Sequence, residues 1–553
     1  MNEKKLITKP NNKKKLNTIL DQNPNNYEDL LKMGLIDIKE NNYSSAKEKF
    51  YRLIRLNNIK YEAHLNLSNI YFLEGNVPKA NSILKNYIDN IEENVEIINS
   101  LAINFFNSND FKNLETHISK YINNYQSHIL YYLKGLLFLQ ADKINKSENF
   151  FKKSIALNAS FWNNYDFLLN QYEKQSRLED FIFLFKAAKK IFKENVKLTY
   201  YESLYLYRKK KYKDSLNILI NTENKKKFHS TQNSFLLADY LHLLSRIYER
   251  LGSYNESYKL AIDRNKTLIN LNENKKFQKK VLLNTISSYE NFYKKNTSIS
   301  TTTDNGIQHS NLVFIIGFPR SGTTLLDTIL RSHSKTMVLE EKPYLLNVRH
   351  NFYKSHQLGD ILKISKKEKI QMQYDYFNSF KYSEEKIIID KYPLNLIELG
   401  FIKTIFPNSK IVLAIRHPLD CITSCVMTSF KMNEAMVHFE NEKTTVNFYK
   451  KCFDLLFLYF KIYEINYHQV KYENVISNFK REISDLLKFL NLEFEVNMNS
   501  FHKTALLREN INTPSYDQVT QPIYSSSINR YKNFEKIENL KKEIDFWIKK
   551  FFY

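Results

Sequence analysis

The stretch from Leu312 to Leu330 reads LVFIIGFPRSGTTLLDTIL. An unbroken apolar run ends at Gly317, a short loop follows, and a second glycine, Gly322, opens a helical pattern. Strand, loop and helix in that order form a phosphate cradle, because backbone N–H groups and the positive end of the helix converge on an anion. The spacing G-x-x-x-x-G matches a nucleotide-binding loop, yet Thr323 stands where that loop carries lysine. That lysine reaches the β- and γ-phosphates of a nucleoside triphosphate, so the loop is poorly equipped for ATP. Arg320 places a charge inside the loop instead. The expected ligand is a nucleotide with a short 5′ anion and no γ-phosphate.

Around this loop, apolar runs of strand length alternate with helical patterns. SGTTLLDTILRSH follows the first run, KIIIDKYP precedes NLIELGFIKTIF, SKIVLAIRHP precedes LDCITSCVMTSF, and HQVKYENV precedes KREISDLLKFLN. This alternation predicts a parallel sheet wrapped by helices, a three-layer α/β domain over residues 311–553. The polar stretch NTSISTTTDNGIQHS ahead of it predicts a linker over 295–310.

The first half has a different period. Ala46 and Ala80 lie 34 residues apart, each followed four residues later by a bulky apolar residue, Phe50 and Leu84. Gly34 stands twelve before Ala46, and Ser68 twelve before Ala80. Gly135, Ser147 and Phe151 repeat those offsets, as do Ser245, Ser257 and Ala261. Small residues recurring at this period, where two helices pack closely, resemble tetratricopeptide repeats. They predict an all-α solenoid over 25–294, with six to eight helix pairs that are degenerate around Leu114 and Phe181. Such a surface holds peptides or partner proteins; the alternative is a scaffold that positions the second domain or makes the chain a homodimer.

Composition narrows the function. Of 553 residues, 43% are hydrophobic and 14% aromatic, enough to fill two or three cores. The formal charge of +23 is spread along the whole chain, with no single basic block interleaved with aromatics. Nucleic acid is therefore not an expected partner, and an anionic ligand or acidic acceptor accounts for the charge more economically. Cys421, Cys425 and Cys452 are too few for a disulfide framework and lack the companions of a metal set. They read as buried helix cysteines of a reducing compartment. The N-terminus lacks the apolar core of a signal peptide, and no apolar run approaches the length of a membrane span. A cytoplasmic protein with a flexible basic lead over 1–24 is expected.

In order, GFPRSGTT, EEKP, DKYPLN, IRHPLDCITS, VKYENV and TPSYDQVTQPIYSSSINRY closely resemble the sulfotransferases over about Leu312 to Phe534. The likeness is to bacterial members with tetratricopeptide repeats and to protein-tyrosine sulfotransferases. The resemblance implies the P-loop-like sulfotransferase fold and transfer of a sulfuryl group from 3′-phosphoadenosine 5′-phosphosulfate (PAPS), with no metal. PAPS has no γ-phosphate, as the lysine-free loop requires. Carried over by motif, Arg320, Ser321, Gly322, Thr323 and Thr324 would hold the 5′-phosphosulfate, and Arg416 and Ser424 the 3′-phosphate. Tyr472 would lie near the nucleotide, while Ser515 and Arg530 would close over it, Ser515 also joining the catalytic set. Arg530 stands where tyrosine-type relatives have lysine, which preserves charge but not geometry. Asp420 reads as a helix-starting residue.

Glu341 aligns with the general base of the tyrosine-type enzymes, and Glu340 is the adjacent alternative. Lys391 and Arg320 would stabilise the leaving oxygen. The acceptor implied is a hydroxyl, a protein tyrosine among the candidates, alongside glycans, lipids and small metabolites. Two other classes compete: a nucleotide-dependent phosphotransferase, opposed by the missing lysine, and a non-catalytic repeat scaffold, opposed by the intact charged set.

Overall fold

A left-handed residue followed at once by a helix N-cap sets the rhythm of the first half. The computed structural model describes residues 10–231, 233–272, 279–297, 311–506, 508 and 519–553. Left-handed turns fall at Asn41, Gly75, Asn109, Asp142, Ser176 and Lys210, spacings of 34, 34, 33, 34 and 34. The next, Gly252, comes 42 later because the eight-residue helix Thr222–His229 is inserted. Asn42, Asn76 and Asp110 follow three of these turns and accept a backbone N–H from the first helical turn. Asn and Asp suit such caps because a short side-chain oxygen satisfies an otherwise orphaned donor. The rhythm runs through the stretches whose small-residue pattern is degenerate. Within the expected flexible lead, Pro10–Gln22 forms a helix, and its Leu20 packs on the first apolar cluster.

The chain divides into two compact units, Met1–Tyr172 with Lys186–Lys193, and Glu173–Phe185 with Glu194–Tyr553. In the first, Tyr27–Lys39 pairs with Tyr43–Leu56, Tyr61–Leu73 with Val77–Asn90, and His128–Gln140 with Ile144–Leu157. In the second, Val196–Arg208 pairs with Tyr212–Ile220 and Ser234–Arg250 with Tyr254–Asn272. The offset of twelve marks where paired helices cross. A Cβ on Gly135 would stand 2.7 Å from the Phe151 ring, and one on Gly34 2.8 Å from Phe50. Where serine takes either small-residue position, its hydroxyl donates across the crossing. Ser68 bonds Ala80 O at 3.0 Å and Ser147 bonds Gly135 O at 2.8 Å. Ser245 and Ser257 bond each other's carbonyls at 2.7 and 2.8 Å. Ser203 and Ser215 do the same at 2.9 and 2.8 Å, a crossing the sequence reading passed over.

The second unit also holds the sheet. Strands β1 (Leu312–Gly317), β2 (Thr336–Glu340), β3 (Ile387–Lys391), β4 (Lys410–Ile415) and β5 (Tyr467–Lys471) are parallel, in the order β2-β3-β1-β4-β5. β2 lies in TMVLEE, too short and mixed to stand out as an apolar run. Strand residues alternate between two apolar layers, so both faces are covered, as parallel sheets require. Phe314, Ile316, Leu413 and Ile415 join one layer; Val313, Ile315, Val412 and Ala414 join the other, with Leu326 and Ile329 from helix Thr323–Arg331. The first layer also takes in Ala261, Ile286, Tyr289 and Tyr293. The composition change at Asn296 is therefore not where a core ends. Chain departing from β1 runs to one side of the sheet and chain departing from β4 to the other, which opens a crevice beyond their C-terminal ends. No helix among the described residues is long and apolar enough to cross a membrane.

Candidate active site

The loop after β1 is shaped by backbone packed against backbone. Gly317 pairs with Ala414 of β4, and a Cβ on it would stand 2.5 Å from the Ala414 carbonyl oxygen. Arg320 and Gly322 are left-handed, at φ 71° and 96°. A Cβ on Gly322 would meet the Tyr472 ring at 2.8 Å, so that ring closes on the loop. The turn at Arg320 directs its Nε to Ser424 Oγ, 2.9 Å away, on helix Pro418–Met427. Arg416, just past β4, lies over the Tyr472 ring at 4.9 Å and donates to Arg320 O at 3.3 Å and to Ser527 O. Arg320, Arg416, Ser424 and Tyr472, spread over 153 positions, are thus brought together.

Beside them is a cleft of about 570 Å³, part of it open to solvent. Arg320, Thr323, Thr324, Arg416 and Tyr472 line one part of it, and the segment from Gln521 to Tyr524 another. Burial and the neighbouring cations Arg416 and Arg530 push the Arg320 pKa below its ordinary value. Buried Ser321 Oγ and Arg416 Nε have no hydrogen-bond partner among the described residues. Crowded cations and unsatisfied buried polar groups are costly by themselves and are relieved by an anion.

A second cluster forms where β2 and β3 end side by side. Lys391, fully buried, donates from Nζ to Glu341 Oε1 at 2.7 Å and lies 3.6 Å from Glu340 Oε1 and 3.7 Å from Asp327 Oδ2. Burial disfavours the ammonium, but Glu341, Asp327 and Glu340 outweigh it and hold the Lys391 pKa above its ordinary value. Glu340 is the last residue of β2, buried and also paired with Arg508. Glu341 enters the turn at φ 48°, its N–H on Lys391 O at 2.8 Å, and its side chain is 34% exposed. The two glutamates thus separate: Glu340 is locked inside, while Glu341 faces out. On the other face of β3, Asp390 accepts from Tyr376 Oη at 2.7 Å and from Asn395 Nδ2 at 3.4 Å. Burial raises its pKa to about 7.

Arg530 is held elsewhere. Its guanidinium forks onto Glu249 of helix Ser234–Arg250 at 2.6 and 2.8 Å. The carboxylate of Asp420 accepts the N–H of Asn529 and of Tyr531, at 2.8 and 2.9 Å, so it pins the backbone on either side of Arg530. Ser515 lies outside the described residues. His417 stacks on Tyr531 with ring centroids 4.6 Å apart, and burial pushes its pKa down to about 4. Cys421, Cys425 and Cys452 are buried and free. Sequence reasoning missed Asp327 and Glu249; the segment Gln521–Tyr524 falls within the late stretch quoted for the resemblance, though none of its residues was singled out. Asp327 had a legible signal, an acidic residue on the apolar side of an amphipathic helix; Glu249, 281 positions from its partner, had none.

Residues 312–496 match the family model described as the sulfotransferase family. A curated relative, an uncharacterized protein of Aquifex aeolicus (strain VF5), is 27% identical over 236 residues. That stretch is 40% of this chain and 31% of the relative, so the chain spans about a third of the relative's length. Among solved structures, a tetratricopeptide repeat protein from Parabacteroides merdae is 15% identical, covering 44% of this chain and 93% of its own, at a TM-score of 0.32. The sulfotransferase domain from the curacin biosynthetic pathway is 17% identical, covering 42% and 96%, at 0.30. At such scores neither likeness adds weight to the family match. Residues 312–496, which carry the loop and the parallel sheet, are thus similar to the sulfotransferase family, and paired helices recurring every 33 or 34 residues precede them.

Proposed function

We propose that the chain transfers a sulfuryl group from PAPS to a hydroxyl acceptor, and that the acceptor is a protein tyrosine. The observation that carries the reading is the meeting of Arg320, Arg416, Ser424 and Tyr472 at the cleft, with buried Ser321 Oγ and Arg416 Nε lacking partners among the described residues. These groups fit a donor with anions at both ends of its ribose. The loop from Arg320 to Thr324 would hold the 5′ end, Arg416 and Ser424 the 3′-phosphate, and Tyr472 would flank the nucleotide. Ser515 would join the closure, and Arg530 would do so only by leaving Glu249. The donor supplies an activated sulfuryl group on a phosphate leaving group.

Glu341 would take the acceptor's proton as the new oxygen–sulfur bond forms, since it is the exposed member of the glutamate pair. Its distance to Lys391 gives that step a second use. Once protonated, Glu341 no longer neutralises the ammonium 2.7 Å away, so Lys391 gains effective charge as the leaving oxygen gains its own. Arg320 shares that load. The helical repeats supply the kind of surface that holds a peptide acceptor.

The test is label transfer. Wild-type and Glu341→Ala protein are incubated with sulfur-labelled PAPS and cell extract, which is then split into protein, glycan, lipid and small-molecule fractions. Label on protein, with wild type alone, is the expected result. Label in another fraction replaces the acceptor, and absence of both label and donor binding overturns the reading.

A further inference from the structure

Arg264 is fully buried and pairs with no carboxylate among the described residues. Its guanidinium donates to three consecutive carbonyls at the end of helix Pro418–Met427: Val426 at 2.7 Å, Met427 at 3.0 Å and Thr428 at 3.0 Å. Asn265 Nδ2 adds bonds to Val426 O at 3.0 Å, Phe439 O at 2.9 Å and Glu440 O at 3.2 Å. Asn265 Oδ1 and His242 Nδ1 complete the shell around the arginine. The last carbonyls of a helix have no donor within it, and they carry its negative dipole end. The buried cation is therefore balanced by a helix terminus. An apolar contact would join two helices at lower cost, because burying a charge is expensive. A planar fork on three carbonyls adds something a greasy contact lacks, which is a set axial position and rotation.

The clamped helix is the one that serves the cleft. Ser424, two residues before Val426, accepts from Arg320 Nε at 2.9 Å. Asp420, two turns before the clamp, holds the N–H groups of Asn529 and Tyr531. A slip of about 1 Å at the clamped end would carry Ser424 with it, and hydrogen bonds weaken steeply over such a displacement. We propose that Arg264 and Asn265, on helix Tyr254–Asn272 of the repeat region, are positioning residues of the donor cleft, acting through helix Pro418–Met427 on Ser424. The inference rests on the donor reading above. It makes the final repeat pair a structural part of the catalytic domain.

The whole 553-residue chain provides the test, with adenosine 3′,5′-bisphosphate as probe. Arg264→Lys keeps the charge and loses the fork. Asn265→Ala removes the three bonds from Nδ2 and the two that Oδ1 accepts from Arg264, and keeps the cation, so it carries the test if the first variant does not fold. Each is measured by calorimetry, alone and combined with Ser424→Ala. Each single variant is expected to weaken bisphosphate binding about tenfold, with the combination little weaker than Ser424→Ala alone, because both act through one hydroxyl. Ligand-free hydrogen exchange should quicken in residues 416–428 and not in the β-strands. If the losses multiply with that of Ser424→Ala and exchange in 416–428 is unchanged, the pair merely joins helices and the positioning role is overturned. If the wild type fails to bind the bisphosphate, the donor reading falls and takes the functional role with it; quickened exchange would still identify the clamp.

Discussion

The helix crossings of the repeats and the C-terminal end of the sheet treat polar groups in opposite ways. At the crossings, the buried hydroxyls of Ser68, Ser147, Ser203, Ser215, Ser245 and Ser257 each reach a carbonyl on the facing helix. At the sheet end, Ser321 Oγ, Arg416 Nε, Glu340 Oε1, Asp327 Oδ2 and His417 Nδ1 are buried without a hydrogen bond among the described residues. Arg320 and Glu341 also hold left-handed backbones that non-glycine residues adopt at a cost. A satisfied hydroxyl stabilises a packing geometry by about 1 kcal/mol, whereas an unsatisfied group costs about that or more. At Ser321 and Arg416 that cost falls beside the cleft, where an anion would offset it.

The sharpest way to break this contrast is Lys391→Met. It should reduce sulfuryl transfer about a thousandfold in single-turnover assays. It should also destabilise the second unit by about 3–5 kcal/mol, because three carboxylates lose their shared cation. A variant that is more stable and equally active would make the cluster ordinary packing. Next in size is Gly322→Ala, which adds left-handed strain and drives a Cβ into Tyr472. Bisphosphate binding should weaken by roughly tenfold to a hundredfold, with the fold kept by circular dichroism.

At a crossing the expected outcome is reversed. Gly135→Ala presses a methyl group onto the Phe151 ring and should cost about 1–3 kcal/mol in thermal unfolding, while bisphosphate affinity stays at the wild-type value. The smallest effect concerns Asp390, whose carboxyl is raised to about 7 in the fold. Between about pH 4 and pH 7 the folded chain keeps a proton that the unfolded chain releases, so stability falls as pH rises through that window and levels off above it. Asp390→Asn should remove the decline, so its melting temperature relative to wild type should be about 2–4 °C better at pH 8 than at pH 5.

Much of this was legible beforehand, for identifiable reasons. Helix crossings announce themselves because a small residue twelve positions before another is a local packing constraint, as Gly135 and Ser147 show. The Ser203–Ser215 pair obeys the same offset, and the left-handed turns keep the period even where the small residues drift. The loop from Gly317 to Thr324 was readable because its strand, turn and helix are contiguous. β2 was harder, since five residues ending in a glutamate carry almost no periodicity. The extent of the core was harder still: Tyr289 and Tyr293 look like repeat residues and pack in the sheet's own apolar layer.

The sequence alone determined the helical period, the parallel α/β alternation and the lysine-free anion loop, because each is written within a few dozen neighbouring residues. Only the tertiary structure decided which glutamate faces out, that Arg530 rests on Glu249, and that Arg264 caps a helix 163 positions away. Those outcomes depend on where folded backbones come within about 3 Å of one another, and contacts across such separations leave no periodic trace in the chain.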